Sequence, residues 1–342
     1  MRAAHRLVRF LRRQGRDLGP LLILTHDHPD PDAVASAWAL SHLARVLAGL
    51  ETRIVHGGII GRMENQTMVR VLRVPIRPLR RRADYARFKA IALVDTQPLF
   101  GNNRFPKDRR AAIVVDHHPP RDGGSAACSV IEPQVGATSV LLAQALFAAR
   151  CPVPVNLATA LVYGILSETQ DLGRMTGELE MKTYRQLLPL CDLRALALIQ
   201  NPQRPKEFFE TVMRSLENAF VAGPLIGTHL GPVATPDLVS QTADFLLTYE
   251  GMRWSVCTGR YKDRLHLSLR ATRPGVHTGR LLQKVLKEEV RAGGHWSMAG
   301  GSIPIRHPDR PAEWRHAEGR FTRNLLRKIQ GRSRSLSFPF KR

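Results

Sequence analysis

The sequence predicts an α/β protein: a doubly wound, mainly parallel sheet in an N-terminal domain, then a smaller α+β C-terminal domain. Three observations carry this. Short apolar runs alternate with helical stretches over residues 20–190, the pattern of a parallel sheet with crossover helices. Three of those runs finish on a residue capable of chemistry, His26, Asp95 or Asp116. Beyond residue 222 strand-like segments follow one another and helix comes late, as in a separate domain.

In chain order, the first 16 residues carry Arg2, Arg6, Arg9, Arg12, Arg13 and Arg16 and no acid. Leu7, Phe10 and Leu11 recur at helical spacing, so residues 1–19 read as a basic amphipathic helix outside the domains. LLILTH (21–26) is a buried strand, too short and too interrupted by Gly19 and Pro20 for a signal peptide. A helix from about Asp32 to Gly49 leads to the strand TRIVHGG (52–58), and AIALVD (90–95) and AAIVVD (111–116) add two more. An Ala- and Leu-rich helix follows GATS (136–139), and another spans Ala158 to Leu166. In such a sheet ligands bind beyond the carboxyl ends of the strands. Residues 191–222 read as a helical linker. PLIGTHL (224–230), RWSVCTGRY (253–261), RLHLSLRAT (264–272), a helix from about Gly279 to Arg291 and a Gly-rich turn then make a domain over 223–308. Residues 309–342 read as a frayed basic tail, since nine basic residues after position 314 face Glu318 alone.

Composition narrows the partners. Against 29 acids stand 51 bases, 42 of them arginine, for a formal charge of +22. With 43% hydrophobic residues the chain can bury a core, and no stretch approaches the ~20 apolar residues of a membrane span. Four scattered cysteines without C-x-x-C spacing fit a reducing, cytoplasmic setting. The charge makes a polyanion the natural partner, while an arginine-rich solvated surface is the plainer alternative.

The spacing His26-x3-Asp30-x-Asp32 puts an imidazole and two carboxylates on one tight loop. Asp95 closes the next strand and Asp116-His117-His118 the one after. Such donors suit manganese, magnesium, iron or zinc, and the lack of nearby thiols argues against structural zinc. Converging, they could hold two ions ~3.5–4 Å apart, the arrangement that hydrolyses phosphate esters. Singly, each acid also fits a helix cap or a turn.

THDHPDPDAVAS (25–36), LVDTQP (93–98), VVDHHP around Asp116 and GILSETQDLGR (164–174) resemble the four motifs of the DHH phosphoesterase superfamily. AGGHWSMAGG (292–301) resembles the GGGH turn of the DHH-associated C-terminal domain. The resemblance covers roughly residues 20–305. It implies two divalent metal ions, Mn2+ by preference with Mg2+ or others allowed. His26, Asp30 and Asp95 would hold one; Asp32, Asp95, His117 and Glu168 the other, with Asp95 bridging. Asp116 would orient an imidazole, and His118 would face the scissile phosphate as the catalytic partner. The family usually has Asp where Glu168 stands. Glu168 ligating through its longer side chain, a weakly held second ion, and Asp171 as substitute all stay open.

For the second domain the resemblance implies phosphate contacts from Arg270, Gly293, Gly294 and His295. An ordinary turn at the glycines and a solvated strand end at Arg270 are the alternatives. The loops holding Arg62, Asn65 and Asn102 either touch substrate or are turns, and Trp254 and Trp296 either stack on a base or pack in the core. The activity implied is hydrolysis of short single-stranded RNA or DNA, or of small nucleotides, in a cleft between the domains. It is of the short-oligoribonucleotide exonuclease and 3′-phosphoadenosine 5′-phosphate phosphatase type. Dinucleotide phosphodiesterase and polyphosphate or pyrophosphate hydrolase are the alternatives, and a nucleic-acid-binding protein with a degenerate site is the reading from another class. No membrane is involved, homodimerisation stays open, and the basic ends read as tethers to RNA.

Overall fold

The alternation of apolar runs and helices becomes a sheet of six parallel strands. The computed structural model describes residues 2–120, 126–272, 277–286, 291–294, 297–331 and 335–341, with backbone alone for 82–84 and 291–294. The chain divides into two compact units, Met1–Pro202 and Gln203–Arg342.

The first unit runs α1 (Arg2–Gln14), β1 (Leu21–Leu24), α2 (Pro31–Ala48), β2 (Thr52–His56), α3 (Met63–Leu72) and β3 (Ile76–Pro78). It continues through β4 (Ala90–Val94), β5 (Ala111–Asp116), β6 (Ala126–Ile131), α4 (Thr138–Ala148), α5 (Val155–Thr169), α6 (Glu178–Leu187) and α7 (Leu193–Gln200). The sheet order is β3-β2-β1-β4-β5-β6, so it winds both ways from a reversal between β1 and β4. Such a reversal opens a crevice at the carboxyl ends of its strands. Side chains alternate across the pleat. Leu21 and Ile23 face a core shared with α1, α2, α4 and α5. Leu22, Leu24, Val55, Ile91 and Leu93 face the other way, beneath Tyr85, Phe88 and Phe105 from the loops.

Local chemistry fixes the helix that matters most. Asp30 caps α2, its side chain accepting from the Ala33 amide at 3.0 Å, with Pro31 in the first turn. Gly49, at φ 64°, ends it in the left-handed conformation. Most of α2 is buried, because α4 and α5 both lie against it. At Gly164 of α5 a Cβ would stand 2.5 Å from Ser139 Oγ, so only glycine permits that approach.

The second unit runs α8 (Lys206–Glu217), β7 (Phe220–Ala222), β8 (Leu225–Pro232), α9 (Asp237–Leu246), β9 (Trp254–Tyr261) and β10 (Arg264–Ala271). Then come α10 (Thr278–Leu286), β11 (Arg291–Gly294), β12 (Met298–Pro304) and α11 (Pro311–Gln330). Its mixed sheet is ordered β11-β12-β10-β9-β8-β7, parallel only between β8 and β9.

Three expectations about organisation change. α1 is no appendage: Ala4, Leu7, Val8 and Leu11 are buried in the first unit's core, against α4 and β6. Residues 311–330 are no frayed tail: Trp314, Phe321, Leu325 and Leu326 of α11 sit in the second unit's core. The stretch 191–222 is no separate linker, since Ala195, Leu196 and Ile199 of α7 join the first core while α8 falls in the second unit. In each case an apolar face between charged positions closes a core. The four cysteines are free, and among the described residues no helix is long and apolar enough to cross a membrane.

Candidate metal centre

β1 delivers His26, the start of α2 delivers Asp30 and Asp32, and the neighbouring β4 delivers Asp95. β5 ends on Asp116, followed by His117 and His118. Asp95 turns its side chain inward from a left-handed backbone, φ 57°, a conformation that costs a non-glycine residue about 1–3 kcal/mol and collects at functional sites.

Asp95 is the hub. Its Oδ2 lies 3.6 Å from His26 Nε2, which is 3.8 Å from Asp30 Oδ2. Its Oδ1 lies 3.6 Å from His117 Nε2 and accepts a 2.8 Å hydrogen bond from the Thr138 hydroxyl. His26, Asp30 and Asp95 form one set of donors within 4.8 Å of one another, and Asp95, His117 and His118 a second. Ligands ~2.0–2.2 Å from one ion stand ~3–4 Å apart, so these spacings suit an ion at the centre of each set.

The decisive atom is His117 Nε2. Nδ1 of His117 donates to the Val135 carbonyl at 3.1 Å, because a carbonyl can only accept. In the neutral ring the lone pair then falls on Nε2, which is buried and without a hydrogen-bond partner. A buried acceptor left in that state fits a cation. His118 differs. Its Nδ1 meets Asp116 Oδ1 at 2.8 Å, and Asp116, fully buried, also accepts from Gln97 Nε2 at 2.8 Å. That bond fixes the orientation of the His118 ring.

The pKa shifts follow from this crowding of charge. Burial alone would lower His26, yet Asp30 and Asp95 together push it up to about 10. Burial likewise opposes His118, and Asp116 and Asp95 lift it to about 9. Burial raises Asp32 to about 6, helped by the charge of Asp30. Burial and the neighbouring acids raise Asp95 and lift Glu168 far above the usual carboxylate range. Asp30 moves the other way: burial is outweighed by its bond to His26. The acids are short of positive charge.

Asp32 and Glu168 are held less simply. Asp32 accepts from the Thr138 amide at 2.8 Å, the Ser139 amide at 2.7 Å and Ser36 Oγ at 3.3 Å, which pins it to the start of α4. Glu168, in the last turn of α5, pairs through Oε1 with Arg174 at 3.0 Å. Neither enters the two donor sets. Asp171 lies beyond the end of α5, exposed, at φ 54° between Gln170 and Leu172, also left-handed. The shared helix face that would let it replace Glu168 does not form.

Gln97, Thr138, Ser139 and Arg174 are the supporting residues that motif reading passed over, although LVDTQP, GATS and GILSETQDLGR contain them. Asn102, exposed, braces the neighbouring loops: its Oδ1 accepts from Thr96 at 2.7 Å and its carbonyl from the Asp27 amide at 2.7 Å. In the second unit Arg270 is buried, bonded through Nε to Asp244 and through Nη1 to Ser268 Oγ at 2.7 Å. Gly293 and Gly294 lie in β11, paired with Gly300 and Ala299. His295 and Trp296 lie outside the described residues, and Trp254 is in the core.

Residues 20–165 match the family model described as "DHH family, N-terminal domain". This part of the chain is a DHH-family domain. The matched stretch contains the tripeptide Asp116-His117-His118. An uncharacterized protein of Methanocaldococcus jannaschii, MJ1633, is 34% identical over 288 residues, 84% of this chain. The chain spans 58% of the length of that relative. The crystal structure of an exopolyphosphatase-related protein from Bacteroides fragilis shares the fold, at a TM-score of 0.74 and 14% identity, covering 95% of this chain and 98% of that one.

Proposed function

We propose that the protein is a metal-dependent phosphoesterase hydrolysing short oligonucleotides or small nucleotides. The observation that carries this is Asp95, whose two oxygens face two donor sets while His117 Nε2 stands buried and unbonded between protein groups. His26, Asp30 and Asp95 would hold one divalent ion and Asp95 and His117 a second, with Asp32 and Glu168 nearby. Such ions, Mn2+ or Mg2+, supply Lewis acidity and a water of lowered pKa. His118, kept protonated by Asp116, is a proton donor to the leaving oxygen and a counter-charge to the phosphate. Gln97 and Asp116 hold that imidazole in one orientation. The formal charge of +22 favours a polyanionic substrate, and the likeness to DHH phosphoesterases favours one of few nucleotides.

The test is a panel with Mn2+: short RNA, short DNA, 3′-phosphoadenosine 5′-phosphate, cyclic dinucleotides and polyphosphate. Turnover of short RNA or the bis-phosphorylated adenosine is expected, abolished in a His117→Ala protein that keeps its circular dichroism. Less than one ion per chain, no turnover and salt-dependent RNA binding together would sink the enzyme reading in favour of a binding protein.

A further inference from the structure

Far from the DHH tripeptide in the strand order, β2 and β3 carry a second feature on the sheet face turned away from the helices. Register fixes the geometry: Leu22 pairs with Arg53 and Val55 with Arg77, so Arg53, Val55, Leu22 and Arg77 all stand on one face. With Arg80 and Phe88 they line a cavity of about 520 Å³ floored by Val55 and Leu79. That lies within the ~300–1,000 Å³ of small-ligand sites. Arg53, Arg77 and Arg80 are exposed, and among the described residues none of them meets a carboxylate. The Arg53 guanidinium stacks 5.6 Å over the Phe88 ring, which holds one wall of the recess in place.

Three exposed guanidinium groups around one recess are a poor arrangement for a protein alone, because like charges repel and among the described residues no acid pairs with them. They match phosphate, which a guanidinium fork binds through two parallel hydrogen bonds. We propose that the Arg53–Arg77–Arg80 recess is a second phosphate site, which seats one nucleotide of a single-stranded nucleic acid. Its apolar floor favours a nucleotide over polyphosphate, which has nothing apolar to lay there. Its concavity excludes a duplex, whose grooves are read by protruding helices or ribbons. No metal-centre residue lines it, so strand binding here does not depend on the hydrolytic reading.

The test is fluorescence anisotropy of a labelled twelve-nucleotide RNA in EDTA, where binding is read without turnover. Arg77→Gln/Arg80→Gln leaves Arg53 on Phe88 and removes two phosphate contacts. The expected result is roughly 10-fold weaker binding and a salt slope shallower by about 1.4 for the two lost contacts. Arg53→Gln added to that pair is expected to weaken binding further, with circular dichroism reporting that the fold survives. Unchanged affinity and slope would overturn the proposal. So would equal displacement of the RNA by poly-glutamate or polyphosphate at matched charge, which would mark a non-selective basic surface.

Discussion

In the second unit, arginines of the sheet meet acids. Arg260 makes two 3.0 Å hydrogen bonds to Glu318, and Arg270 meets Asp244. In the first unit Asp30, Asp32, Asp95 and Glu168 crowd one another, with Arg174 paired to Glu168, and three of the four are driven toward protonation. The first arrangement is complete without a ligand. The second keeps a deficit that an added cation would relieve, and that difference separates a structural charge from a functional one.

The largest expected effect follows from the hub. Asp95→Asn removes a donor common to both sets, so divalent-ion affinity in calorimetry should fall by more than the 10–100-fold typical of outer partners. The metal-free variant should melt higher than the parent, because a crowded carboxylate has gone. Unaltered affinity would mean that the crowding serves no ion. In the complete arrangement, Arg260→Ala should cost about 2–4 kcal/mol in urea unfolding, since Glu318 is left buried without its partner. The lower end is expected because the Arg260 side chain is 24% exposed. Gln97→Ala, which frees Asp116 to turn, should lower metal-dependent turnover roughly 10-fold with the fold unchanged.

The smallest effect is in pH. Asp32 titrates at about 6, above its ordinary 3.8, so its contribution to stability is full below 3.8 and lost as pH rises through 6. His229 in the second unit is depressed below 6.5 by burial, so its contribution is full above 6.5 and lost as pH falls. Amide exchange on the metal-free protein between pH 4 and 6.5 should show the first unit weakening with rising pH and the second strengthening. Each group contributes at most ~1.4 kcal/mol per pH unit. Parallel trends in the two units would contradict these charge states.

What the sequence disclosed was whatever depends on short spacing. His26, Asp30 and Asp32 share one loop, and Asp95 and Asp116 stand where parallel strands end. Contacts between distant segments stayed hidden. Asp32 is held by amides over a hundred residues away, and Arg270 finds Asp244 across 26 positions. The apolar stripe of α1 was legible from its period but not its docking, and the stripe of α11 was masked because arginines between its apolar positions lower the average hydrophobicity that composition reads.

That α1 is a piece of the core has a consequence during synthesis. α2 follows α1 closely and touches it, but its larger partners β6 and α4 begin about 110 residues later or more. At ribosomal speeds of ~5–20 residues per second, Leu7, Val8 and Leu11 lack the cover of β6 and α4 for on the order of ten seconds. An apolar stripe held open that long invites aggregation, and interleaved charge suppresses it. Arg2, Arg6, Arg9, Arg12 and Arg13 supply that charge on the same helix. Part of the basic excess is thus placed to guard the nascent chain, and after docking Arg6 meets Glu132 and Arg12 the Ala149 carbonyl.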